Sequence, residues 1–174
     1  MFEFKFALDD NDYLLFNRYH LLNSPSGKKA LTMYRLVVPI VFLAVILIFY
    51  IADAGPRLII IEAILMAIVS ALWLAFSDKL LLRSVNKNIL KMKKTGRLPY
   101  SSEAVLKFGE ENVHEITPNT ENKTDYSLIE KIAVTEKAIY IYFSTVQAYI
   151  LPITAFSDEA ERRRFLEFIH SKVK

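Results

Sequence analysis

Three histidines, His20, His114 and His170, stand far apart in a 174-residue chain without cysteine. A transition-metal site needs several His, Cys or carboxylate ligands at short, defined spacings, and these three have none. The lack of cysteine also excludes thiol nucleophiles and disulfide scaffolds. His20 and His170 are expected on polar helix faces and His114 on an exposed strand face. Ser26-Gly27-Lys28 shares only part of a phosphate-loop pattern, lacking its first glycine and the Ser or Thr after the lysine. Glu110-Glu111 is a carboxylate pair in a turn, which is ordinarily solvated surface. Asn122-Lys123-Thr124 fits a glycosylation acceptor that would be unused in the cytoplasm. No catalytic constellation emerges, no cofactor or metal is implied, and the chain reads as non-enzymatic.

Two other sets of residues point to a membrane. Residues 36–52 include no charge, and 13 of these 17 positions are Leu, Ile, Val or Phe. At roughly −0.4 kcal/mol each they favour insertion by about 5 kcal/mol. Residues 58–77 form a second run, with eleven such residues and one acid, Glu62. As helices rising about 1.5 Å per residue, both are long enough to cross a hydrocarbon core. Ala52-Asp53-Ala54 resembles a signal cleavage site, but 35 residues precede the first run and a second run follows, so an anchor is expected instead. Between the runs Gly55-Pro56 breaks the helix, which predicts an antiparallel hairpin. Pro39 is expected near the start of the first span, where a missing amide donor costs little.

Charge orients the hairpin. Residues 1–97 carry 13 basic and 7 acidic side chains, and the remainder carries 9 and 12. The basic residues flank the apolar runs, which favours an anionic membrane surface over nucleic acid as partner. The connecting loop has Arg57 alone, so both termini are expected in the cytoplasm. Lys28, Lys29 and Arg35 on one flank, and Lys79, Arg83, Lys87, Lys91 and Lys94 on the other, are candidate contacts for lipid headgroups. Lys79, Arg83, Lys87 and Lys91 recur every four residues on a predicted helix over 78–94 capped by Gly96. Such a row is self-repelling unless an anionic surface lies against it. Ala63, Ala67, Ala71 and Ala75 make a small-residue stripe for helix packing, either within the hairpin or between copies in a homo-oligomer. Glu62, the intramembrane acid, is a candidate for ion or proton movement.

The flanks supply a soluble module. Short apolar stretches at 104–108, 113–117, 123–126, 129–134, 139–143 and 148–151 predict an antiparallel sheet or barrel. Ser157 is expected to cap a terminal helix carrying Phe165, Leu166, Phe168 and Ile169 on one face. Phe2, Phe4, Phe6 and Leu8 alternate with other residues, which predicts a strand, and Asp9 or Asp10 caps a helix with Tyr13, Phe16 and Tyr19. The organisation expected is therefore 1–35, an N-terminal strand and helix; 36–77, a transmembrane hairpin; 78–97, a basic juxtamembrane helix; and 98–174, a cytoplasmic domain on which the N-terminal elements dock.

Tyr19-His20-Leu21-Leu22-Asn23-Ser24-Pro25-Ser26-Gly27-Lys28-Lys29 before the hairpin, Ile129-Glu130-Lys131-Ile132, and Val146-Gln147-Ala148-Tyr149-Ile150-Leu151-Pro152 with Ala155-Phe156 resemble the YcxB-like family of bacterial membrane proteins. The resemblance implies a carboxyl-terminal domain similar to pleckstrin-homology folds, a bent sheet closed by one helix. It supplies no activity. Relatives often carry Trp where Tyr126 stands, and tend to be basic where Ile153-Thr154 stands. The fold class expected is an α+β membrane protein. The leading functional reading is an anchored binding or regulatory module that recognises an unidentified protein segment or anionic headgroups, with Gln147, Tyr149 and Pro152 as the candidate partner-binding strand near Tyr140 and Tyr142. The competing reading is a small oligomeric pore or transport subunit using Glu62.

Overall fold

The computed structural model describes residues 1–95, 101 and 103–173. The chain divides into two compact units, Met1–His20 with Ile89–Lys174, and Leu21–Asn88. The elements in order are β1 (Phe2–Phe6), α1 (Asp10–Asn23), α2 (Pro25–Ile51), α3 (Pro56–Lys94), β2 (Ala104–Phe108), β3 (Asn112–Ile116), β4 (Glu121–Asp125), β5 (Lys131–Val134), β6 (Ala138–Tyr142), β7 (Ala148–Pro152) and α4 (Glu159–Lys172).

The first unit holds two antiparallel sheets, ordered β1-β2-β3-β4 and β5-β6-β7. The alternation of Phe2, Phe4 and Phe6 becomes an edge strand whose Phe4 lies opposite Leu106 of β2. One sequence-distant pairing thus ties the amino terminus to the carboxyl-terminal sheet. Between the sheets lies an aromatic core closed by α4. Phe165 is fully buried, with ring centroids 5.1 Å from Phe4, 4.7 Å from Phe108 and 5.5 Å from Phe2. Edge-to-face packing of this kind adds to the ~1.5 to 3 kcal/mol that burial of each such side chain contributes.

The second sheet is covered on both faces. Ile139 and Ile141 enter the aromatic core, whereas Ala138, Tyr140 and Tyr142 meet Phe16 and Tyr19 of α1. This explains why β6 reads Ala-Ile-Tyr-Ile-Tyr and is buried at every position. Asp9 caps α1 by accepting from the Asp12 amide at 2.8 Å, and Asp12 accepts in return from the Asp9 amide at 3.2 Å, a reciprocal capping arrangement. The cap of α4 is Asp158 and not Ser157: Asp158 accepts from the Glu161 amide at 2.7 Å. Ser157 lies one residue outside and donates its amide and hydroxyl to Glu161. Two adjacent capping types compete here, and the carboxylate takes the position where the helix dipole is felt most.

The second unit is built from α2 and the greater part of α3. Ser24 caps α2, accepting from the Gly27 amide at 2.9 Å, with Pro25 in the first turn where its missing donor is harmless. At the other end Asp53 adopts φ 53°, its amide donates to the Tyr50 carbonyl, and the Ala54 amide donates to the Phe49 carbonyl. This is a Schellman closure with aspartate where glycine is usual. Because α2 begins at Pro25, Pro39 lies in its interior and not near its start. The predicted Gly96 cap falls outside the described residues, and α3 runs without a break through Lys94.

Candidate functional site

The shielded positions of α2 include Leu31, Arg35, Val38, Phe42, Val45 and Phe49, with Gly27, Tyr34, Pro39 and Ile46 beside them, and those of α3 include Ile59, Ala63, Met66, Ser70, Trp73 and Ser77. Both series alternate steps of four and three residues, the pattern that keeps one seam between two helices. The alanine stripe steps by four and drifts around the helix. Ala63 is half-buried, whereas Ala67, Ala71 and Ala75 are exposed. Ala63 and Ala67 still line a groove with Pro39 and Phe42.

At one end of this seam the two helices share a polar clasp. The Arg35 guanidinium donates through Nε to Asp78 Oδ1 at 2.8 Å and through its second nitrogen to Oδ2, a two-pronged ion pair. Beside it the Trp73 indole donates to the Arg35 carbonyl at 3.1 Å, and its ring lies 5.0 Å from Tyr34. Pro39 explains this bond. Lacking an amide, it leaves the carbonyl four residues earlier without its helical donor, and that carbonyl belongs to Arg35. Arg35, expected among headgroup contacts, is therefore engaged by Asp78. Lys28, Lys29, Lys79, Arg83, Lys87, Lys91 and Lys94 are exposed. Glu62 is half-buried with no ion pair among the described residues.

In the sheet unit, Tyr149 and Pro152 are buried and Gln147 is exposed. The Tyr149 hydroxyl shares a 2.7 Å hydrogen bond with Thr124, and its ring lies 4.6 Å from Phe143. Burial raises the pKa of this hydroxyl, and burial pushes Tyr142 up to about 12. Both phenols are therefore neutral core groups, and what β7 leaves open is its main-chain edge. Alongside that edge lies a cavity of about 300 Å³, lined by Gln147, Ala148 and Ile150, by Leu8 and Phe16, and by Glu115. Sequence reasoning did not single out Glu115, and it read Leu8 only as part of the N-terminal strand pattern. The position of β7 at the end of its sheet, which brings them together, is a property of topology.

The histidines do not converge. His20 turns inward, its ring 6.0 Å from Phe16 and 5.9 Å from Tyr142, and burial lowers its pKa. Its expected place on a polar face is thus corrected: the same helix face carries Phe16 one turn earlier. His114 is half-buried and paired with Glu121 at 2.6 Å, and His170 is exposed. Among the described residues no group of three or more His, Asp or Glu could hold a metal ion.

These features define an α+β chain with two long apolar helices and a mostly antiparallel sheet domain. The family model described as YcxB-like protein matches residues 108–169, from the end of β2 into α4. The motifs at 129–132 and 146–156 fall within that match, and Tyr19 to Lys29 falls outside it. No curated protein and no solved structure matches the chain.

Proposed function

We propose that the chain is an integral membrane protein, non-enzymatic, whose α2–α3 hairpin anchors a cytoplasmic binding module. The observation that carries this reading is the bareness of both long helices. Each includes an 18-residue stretch with mean hydropathy 2.5 and no buried position. Contiguous apolar surface of this size is disfavoured in water and favoured in lipid. The Trp73–Tyr34 pair and the Arg35–Asp78 clasp suit the interfacial level, where aromatic rings and paired charges are tolerated. The lysines and arginines beyond the clasp, against one arginine in the loop, support termini on the cytoplasmic side.

The exposed row Lys79, Arg83, Lys87 and Lys91 supports contact with anionic headgroups, at about 1 kcal/mol per residue near the surface. The four-plus-three strand arrangement closed by α4 supports a pleckstrin-homology-like domain. Glu62 has no second ionisable partner within the apolar stretches, which favours the anchored module over transport.

The test is alkaline carbonate extraction of native membranes together with topology reporters at each terminus. Retention in the pellet with both reporters cytoplasmic is expected. Release into the supernatant, or reporters on opposite faces, would overturn the reading. For headgroup contact, full-length protein in nanodiscs should melt higher with anionic than with zwitterionic lipid, a difference lost at high salt and in the variant with all four basic residues replaced by alanine.

A further inference from the structure

The register of β6 and β7 shows which main-chain groups of β7 are engaged. The Phe143 amide donates to Gln147 and the Ile153 amide to Lys137. In an antiparallel ladder hydrogen-bonded pairs alternate, so Tyr149 and Leu151 also face β6, opposite Ile141 and Ile139. The amides of Ala148 and Ile150, and the carbonyls of Ala148, Ile150 and Pro152, therefore point away from the sheet. Since β7 ends its sheet, no strand among the described residues bonds to them. Pro152 has no amide to offer and terminates the edge.

Three properties decide what fits there. The uncovered donors and acceptors have the strand repeat, which a peptide in extended conformation matches and a compact ligand does not. The walls are apolar on both sides, with Leu106 and Phe143 from the core face and Leu8 and Phe16 from the face under α1. Glu115 is the charged residue of the lining. Its carboxylate has a 3.4 Å hydrogen bond from Asn122 and no cation paired with it among the described residues. A half-buried carboxylate beside apolar walls repels phosphate and attracts a cation.

We infer that the outer edge of β7 and its cavity bind an extended peptide, which adds to β7 as a further strand, lays apolar side chains on the walls and brings a lysine or arginine to Glu115. This rests on reading the domain as a binding module, and gives that module a partner chemistry opposite in charge to a headgroup.

The experiment uses the full-length protein in phosphatidylcholine nanodiscs, where basic peptides gain little from the lipid. The probes are fluorescent acetyl-Val-Lys-Val-Lys-Val-amide and its glutamate counterpart. The lysine peptide is expected to bind about tenfold more tightly or better and to slow hydrogen exchange at the Ala148 and Ile150 amides. Glu115→Gln should bring the two peptides to within about twofold of each other. Ala148→Pro, which removes an outward donor without touching the β6 ladder, should abolish binding; Glu115→Gln keeps the test decisive if that variant misfolds. Equal binding of both peptides, binding without slowed exchange, no binding, or amides already protected in the free protein would each overturn the inference. Failure here with the chain still retained after carbonate extraction removes the peptide site and leaves the membrane anchor standing. Release by carbonate removes the anchor and leaves the peptide result intact.

Discussion

The sheet domain and the helical hairpin use the same side chains under opposite rules. Phe165 in the domain is 0% exposed, whereas Leu43 in α2 is 66% exposed, and most of the exposed Ile, Leu and Val side chains lie on α2 and α3, although Leu128, Val134 and Val146 of the domain are exposed and Leu31 of α2 is buried. In the domain, apolar groups hide from water behind other protein groups. In the hairpin they are turned outward, and what faces the partner helix includes the few polar groups, Arg35, Ser70, Trp73, Ser77 and Asp78. Under the membrane insertion proposed above, burial in protein and exposure to lipid are two solutions to one problem, the removal of apolar surface from water. They differ in which residues become sensitive to substitution.

The largest effect expected follows directly. Phe165→Ala opens a cavity among four aromatic rings and should destabilise the sheet domain by ~3 to 5 kcal/mol, read by chemical denaturation of the protein in nanodiscs. Leu43→Ala removes a comparable side chain from a surface that meets solvent or lipid, and should leave domain unfolding unchanged. Equal losses from the two would break the contrast between the units.

A smaller effect tests polar satisfaction within the domain. Tyr149→Phe strands the Thr124 hydroxyl in a buried site and should cost about 1 to 3 kcal/mol. Thr124→Val in the same background removes the stranded group and should restore part of that loss. A double-mutant cycle with no coupling would mean that the 2.7 Å bond contributes nothing.

Much of this was legible in the sequence, for reasons that vary by element. Strands in which alternation or β-branched runs coincide with burial, such as Ala104–Phe108 and Ala148–Pro152, lie where predicted. The apolar runs are equally plain and lie within two long helices, which extend well beyond them, α2 starting at Pro25 and α3 running on to Lys94. The clasp was half legible: Arg35 and Asp78 flank the two runs at the same end of a hairpin, so opposite charges had to come level. The Trp73 bond was obscured because it depends on a backbone carbonyl freed by Pro39, a relation that no side-chain pattern displays. The inward turn of His20 and the cavity beside Glu115 depend on which strand ends the sheet and where α1 docks. Both are long-range outcomes of topology rather than of local propensity.

The hairpin offers its own smaller tests. Trp73 is the single tryptophan, so its fluorescence reports on the clasp alone. Asp78→Asn should weaken the hold on Arg35 and shift Trp73 emission, whereas Glu62→Gln, far along α3 from the ring, should not. Asp53→Gly relieves a side chain held at φ 53° and should stabilise the hairpin by about 0.5 to 1 kcal/mol, read as greater resistance to unfolding in denaturing detergent. A loss of stability instead would mean that the Asp53 carboxylate makes a contribution exceeding its backbone strain.

The least of these effects lies at the seam between α1 and the second sheet, and it distinguishes docked helix from core. Burial lowers the pKa of His20 below its ordinary value of 6.5, so the folded state prefers the neutral ring and the unfolded or undocked state takes up the proton first. As pH falls below 6.5 the undocked state binds more protons, and stability must decline until the pH passes the folded-state pKa, after which this contribution no longer changes. Tyr142, which faces the ring at 5.9 Å and is pushed up to about 12, stays neutral throughout and contributes no slope. Protection of the α1 amides, taken as the exchange rate relative to the intrinsic rate at the same pH, should therefore fall as the pH drops below 6.5, while that of the Phe108 and Ile139 amides in the aromatic core changes less. His20→Gln should remove that histidine-dependent loss of protection. A profile unchanged by the substitution would mean that α1 is released by some other group, and that His20 only fills space.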